Sequence, residues 1–318
     1  MSLISNYPNG FANGITIRGI PVTQAHPGQV FWVSNSTALL TGQRGGSDSN
    51  DGTFYAPFAT IDYAIGRCLA GRGDLIMIKP GHAESLATAA AIAADVSGVG
   101  FVGLGVGSAA PTISFITDAA ASIAITAPNT SWVNIRFVAA VADATSPLTL
   151  SALADGASFE NCVFTDTSTI LNYLNFITLT SACDNVSFRD CYFCGKSASN
   201  DSFILMGAAH DRFYMSGCQM QNDIAQTSVV GQVKTTGDVT NAWIKDCFFR
   251  SNIDGALHID FDGTACSGAV TNCYFSSLDV AGAVALAVDF SGGHVFNSFV
   301  SGEANLSGIT VHGPYVDA

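Results

Sequence analysis

Down the second half of the chain a short phrase of alternating apolar and polar positions returns at a nearly fixed interval. It reads Phe159-Glu160-Asn161-Cys162-Val163-Phe164, Phe188-Arg189-Asp190-Cys191-Tyr192-Phe193 and Met215-Ser216-Gly217-Cys218-Gln219-Met220. It returns as Ile244-Lys245-Asp246-Cys247-Phe248-Phe249 and Val270-Thr271-Asn272-Cys273-Tyr274-Phe275, and a last copy, Val295-Phe296-Asn297-Ser298-Phe299-Val300, has serine in the cysteine place. The cysteines are 29, 27, 29 and 26 residues apart, and Ser298 follows 25 later. Alternation bounded by Gly, Asn, Asp or Ser predicts a short strand with turns at its ends. A period of about 20–50 residues predicts stacked repeats.

A second ladder runs at the same period through Pro147–Leu150, Phe176–Leu179, Phe203–Met206, Val229–Val233, Leu257–Phe261 and Val284–Val288. Two ladders with one period mean one coil of chain per repeat. Each coil stacks on the last by parallel strand pairing at roughly 4.8 Å. The fold class expected is therefore all-β, a β-solenoid of about nine coils between residues 75 and 313. A coil buries its inward side chains only against the same positions of the next coil, so like residues stack. The cysteines are read as small hydrophobes in that core rather than as redox or metal groups. The Phe two residues later faces the same way, each worth roughly 1.5–3 kcal/mol when buried.

The N-terminal part does not share the repeat. Residues 1–45 read as an extended arm with strand character, 46–72 as a loop and a capping helix, and 73–318 as the β-helix. Phe58, Ile61, Ile65, Cys68 and Leu69 fall at helical spacing behind Pro57 and are expected to plug the first coil. The arm is expected either to cover its own solenoid or to reach a neighbour. Tyr7, Phe11, Ile15, Ile17, Arg18, Phe31 and Trp32 are its candidate partner-binding residues.

Asp51-Gly52-Thr53, Pro57-Phe58-Ala59-Thr60-Ile61, Gly73-Asp74 and Lys79-Pro80-Gly81 resemble the entry of pectate-lyase-like right-handed parallel β-helices, as found in bacteriophage tailspikes and other phage virion proteins. The opening, from Asn6-Tyr7-Pro8 to Ile15-Thr16-Ile17-Arg18, is similar to arms of phage virion proteins. The resemblance implies a right-handed coil and a place in a virion assembled in the host cytoplasm. It implies no chemistry, since that fold carries lyases, hydrolases and inert structural proteins alike.

Composition narrows the partners. Net charge is −13, with only 12 Lys and Arg, which argues against nucleic acid. No apolar run approaches a membrane span, and the opening residues lack the regions of a signal peptide. Nine cysteines, an odd number, are expected to be reduced thiols. No cofactor and no metal is expected. The Asp and Asn of residues 47–53 do not have EF-hand spacing, and Cys191-Tyr192-Phe193-Cys194 is a lone pair without a second one at zinc spacing.

One polar constellation stands out. His258, Asp260 and Asp262 alternate, so all three are expected to face outward from one strand, with Lys234, Asp262 and Asp289 in one column. Paired carboxylates there would suit a glycosidase, a lysine between acids would suit a lyase, and the His with two Asp would suit a metal. A solvated strand face with one ion pair is the simpler reading, and no catalytic residue is assigned. The reading that follows is a virion structural protein, a homotrimeric capsid decoration or cement protein attached through its arm, rather than an enzyme. The alternative is a tailspike or tail fibre that binds or depolymerises host glycans through Lys234, His258, Asp260 and Asp262.

Overall fold

The computed structural model describes residues 28–222, 224, 231–252, 258–261, 263–276 and 287–299 with their side chains. It describes the backbone alone at 15–17, 20–22, 277, 285–286, 300–301, 304–306 and 310–312. Three sheets run the length of the molecule, with 11, 9 and 9 strands, and neighbouring strands in each are parallel. The first sheet begins at Val30–Val33 and ends at Thr310–His312. The second runs from Ala83–Leu86 to Phe299–Ser301, and the third from Ile92–Ala94 to Ala304–Leu306. The chain is a right-handed parallel β-helix, the solenoid expected from its repeat with the hand that the resemblance implied.

The repeated phrase is not one strand but two with a corner between them. Ser158–Glu160 lies in the first sheet and Val163–Asp166 in the second. Asn161, at the corner, has φ +52°, and its equivalents Asn134, Asp190, Gly217, Asp246, Asn272 and Asn297 also lie in the left-handed region. Asn, Asp and Gly are the residues that tolerate this conformation, which explains why the residue before the cysteine is always one of them. The turn inverts the strand's alternation, so Phe159, Cys162 and Phe164 all point inward.

The core is built of columns. Phe137, Phe164 and Phe193 stack at 4.9 and 4.6 Å between ring centroids. Phe159 stacks on Phe188 at 5.0 Å, and Trp132 on Phe101 at 3.9 Å. Offset stacking of this kind adds to what burial alone contributes. Cys162, Cys191, Cys218, Cys247 and Cys273 are buried free thiols, as the repeat predicted. Each closes its corner by donating to a backbone carbonyl, as Cys162 Sγ does to Trp132 at 3.3 Å and Cys247 Sγ to Lys245 at 3.1 Å.

The start of the solenoid differs from expectation in two ways. Val30–Val33 is its first strand, paired in register with Leu75–Ile78, because Phe31 and Val33 alternate inward. The helix spans only Ile61–Ile65, capped by Thr60, whose hydroxyl accepts from Tyr63 N. Gly66 follows it, and Leu69, expected on its apolar face, is exposed. The helix lies against the first strands of the first and third sheets. Its first N–H, on Ile61, donates to Glu84 Oε2 at 3.1 Å. Glu84 is held in turn by His82 Nε2 at 3.1 Å, and His82 Nδ1 accepts from Asn35 N, which fixes the imidazole as its Nε2–H tautomer.

Candidate functional site

The constellation expected on the third sheet is only partly assembled. Ile259 and Phe261 point inward and Asp260 outward, paired in register with Lys234 on one side and Asp289 on the other. Asp260 therefore takes the middle place of the column in which Asp262 was expected. Asp262 lies outside the described residues. Lys234 Nζ sits 3.6 Å from Asp260 Oδ2, and Asp260 is 8% exposed.

His258 does not face outward. It precedes the strand, is 0% exposed, and packs on the rings of Phe249 and Phe275 at 6.1 and 5.6 Å. Its Nδ1 faces Gln232 Oε1 at 2.9 Å, so Nδ1 carries the proton, and burial pushes its pKa down to about 3. The strict alternation assumed from sequence fails here because the turn into the strand keeps two successive residues inside. His258 and Asp260 thus diverge, and neither a metal site nor an acid–base pair is built from them.

The candidate arm residues also separate. Tyr7, Phe11 and Arg18 lie outside the described residues, and only the backbone is described at Ile15 and Ile17, in an antiparallel pair between Ile15–Ile17 and Ile20–Val22. Phe31 is a core residue rather than a free contact. Trp32 points outward, with its ring edge-on to Phe54 at 4.8 Å between centroids.

A polar cluster that the sequence reading did not pick out occupies the outer face of the first sheet. Arg189, Ser216 and Lys245 stand on successive rungs of one outward column, and Tyr214 and Trp243 are neighbours in another. The guanidinium of Arg189 lies 5.4 Å from the Tyr214 ring centroid and Lys245 Nζ lies 5.5 Å from it. Hydrogen bonds from Lys245 and Ser216, with the two cationic charges, hold the Tyr214 hydroxyl below its ordinary pKa. The same bond to Tyr214 raises Lys245. Trp243 beside them is 52% exposed.

The repeat frame carried the signal for this cluster. Arg189 and Lys245 each stand two residues before a ladder cysteine, and Tyr214 and Trp243 each stand four before one. Aligned on the cysteines, they fall on one face of three consecutive coils. Chemically the arrangement offers two fixed cations for a carboxylate, an exposed ring for an apolar sugar face, and a hydroxyl with eased ionisation.

No family model matches the sequence, and no curated protein matches it. Among solved structures, the pectate lyase Pel9A is similar over 91% of this chain and 82% of its own, at 13% identity and a TM-score of 0.49. A rhamnogalacturonan lyase is similar over 90% and 84% at 13% identity and 0.46. The pectin methylesterase PemA of Erwinia chrysanthemi is similar over 89% and 92% at 15% identity and 0.46. These are likenesses between coiled chains and say nothing about the chemistry of this one.

Proposed function

We propose that this protein binds an acidic polysaccharide along the outer face of its first sheet, with Arg189 and Lys245 taking sugar carboxylates and Trp243 stacking on a sugar ring. The observation that carries the reading is the convergence of two of only 12 basic residues on one tyrosine, beside an exposed tryptophan, in a chain of net charge −13. A structural role for those cations is weak. Arg189 is exposed and Lys245 half-buried, and charge contacts at such a surface add little to stability. Lys245 bonds the Tyr214 hydroxyl and Arg189 lies against the Tyr214 ring, which gathers both charges on the outer face. The test is affinity electrophoresis in gels cast with polygalacturonate, alginate or neutral dextran. Retardation by an acidic polymer, absent in dextran and lost in Lys245→Met and Trp243→Ala, supports the reading. Equal mobility of wild type and variants in every gel overturns it.

A second reading, a homotrimeric virion structural protein of the decoration or cement type, is favoured by a different face. On the second sheet Tyr192, Gln219, Phe248, Tyr274 and Phe299 form one uncharged outward column. Phe248 and Tyr274 stack at 5.5 Å, and Tyr274 and Phe299 are exposed. Copies of the chain packed side by side would cover such a stripe. Its partners would be itself and a capsid or other virion protein. Light scattering and quantitative mass spectrometry of purified particles decide it: a trimer present in proportion to the major capsid protein supports the reading, and a monomer absent from particles ends it.

A further inference from the structure

At the opposite end from the aromatic stripe, the loop after the first strand folds over the exit of Leu75–Ile78 and borders a half-open cavity of about 420 Å³. Its walls are apolar: Trp32, Leu40, Phe54 and Leu104. Its polar groups are Ser34, Gln43 and Lys79. Lys79 is 5% exposed. Its ammonium donates to Gln43 Oε1 at 3.0 Å and to the carbonyl of Phe54, and it lies 3.7 Å from the Phe54 ring centroid and 5.8 Å from that of Trp32. Those contacts use two of its three N–H groups.

Among the described residues no carboxylate lies within ion-pair distance of Lys79. Residues 1–47 contain no Asp or Glu, so the arm has no acid to supply. Burial lowers the lysine pKa, and no neighbouring charge opposes that shift. A buried, unpaired charge is costly and is ordinarily removed or matched. Here it lines a cavity of the size that small ligands occupy.

We infer that this cavity is a binding site for a small ring-bearing carboxylate, with the carboxylate on Lys79 and the ring against Trp32 and Leu40. The ligand chemistry has two sources, a free organic acid or the terminal uronate of a glycan. The cavity stands at the head of the column that leads to Arg189 and Lys245. Those residues lie five and seven rungs away, roughly 24 and 34 Å at 4.8 Å per rung. The inference rests on the cavity itself and does not require the polymer site proposed above.

The experiment is calorimetric titration of the full chain with glucuronate, benzoate and neutral glucose. Saturable binding of one or both acids, with none of glucose, is expected. Glucuronate alone points to the glycan source, and benzoate as well points to a general organic acid site. Lys79→Met should weaken binding by at least about tenfold, the worth of one charge-assisted hydrogen bond. Leu40→Trp fills the cavity from its exposed rim without touching the cation, and should abolish binding even if Lys79→Met does not fold. Ligand-induced rise of the melting temperature, present in wild type and absent in Leu40→Trp, separates a binding site from a lysine that only latches the loop. The inference is overturned if neither acid binds, if glucose binds as well as the acids, or if Leu40→Trp binds unchanged.

Discussion

Asn161 donates from its side-chain amide to Oδ1 of Asn134 on the coil before, at 3.2 Å. Both residues sit in the left-handed region, at φ +52° and +55°. The same link recurs lower down, from Asn272 to Asp246 at 3.2 Å and from Asn297 to Asn272 at 2.8 Å. A corner residue thus does two jobs: it accepts a backbone conformation most residues avoid, and it ties one coil to the next. Asn161→Ala should lose roughly 1–2 kcal/mol in urea unfolding, the cost of the left-handed turn plus an exposed hydrogen bond. Asn161→Gly should lose much less, since Gly217 fills the same corner two coils on with φ +64°. Equal losses for both variants would mean that the corner conformation carries no cost.

The cysteine column makes a sharper prediction. Eight of the nine thiols are buried and only Cys194 is partly open. Hydrogen bonds with Cys218 and Cys273, together with burial, push the Cys247 thiol up, and burial does the same to Cys191. A thiol reagent applied to the native protein should therefore label Cys194 and reach the rest only after denaturation, as peptide mass spectrometry would record. Cys247→Asp would bury an unpaired carboxylate at a cost of several kcal/mol and should give no folded protein. Folding of that variant with a normal melting curve would mean the residue does not face inward.

Much of this fold was legible because a solenoid repeats its own evidence. Each inward position is sampled once per coil, so the cysteine and phenylalanine columns appear in the chain as a period. Less legible was the corner inside the phrase. A left-handed residue between two apolar ones preserves apparent alternation while changing sheets, so Glu160-Asn161-Cys162 reads as strand although the chain turns there. The candidate site suffered from a related limit. His258 stands before its strand and alternation does not reach it, whereas Asp260, inside the strand, lies outward beside Lys234. Arg189, Tyr214, Trp243 and Lys245 were missed for another reason. They lie on three coils, and a search along one strand does not join them.

His258 should leave a mark on the acid stability of the protein. Its folded pKa is about 3 against an ordinary 6.5, so between those values the unfolded chain takes up a proton that the native one refuses. The His258 contribution to stability is therefore lost as pH falls through that window, at roughly 1.4 kcal/mol per pH unit. His258→Leu removes the titrating group and should remove that slope. Chemical denaturation of the two proteins at pH 4, 5 and 6 checks it. Parallel curves for wild type and variant would show that the imidazole charges without loss of the fold.

Asp166 should produce the opposite slope. It is buried at the end of its strand, accepting from Tyr173 N at 2.9 Å, Lys196 N at 2.8 Å and Asn200 Nδ2 at 2.9 Å. Burial outweighs those three donors and raises its pKa from 3.8 to about 6. Between these values the native protein holds a proton that the unfolded chain has released. Stability then falls as pH rises across the window, by about 3 kcal/mol in all. From pH 4 to 6 the Asp166 and His258 contributions run against each other, so wild type should show a shallow dependence there. Asp166→Asn should expose the rising limb due to His258, and His258→Leu the falling limb due to Asp166. Melting temperatures of the three proteins across that range decide the matter. If Asp166→Asn keeps the wild-type profile, the carboxylate is ionised throughout, and its three donors, rather than its burial, set its charge.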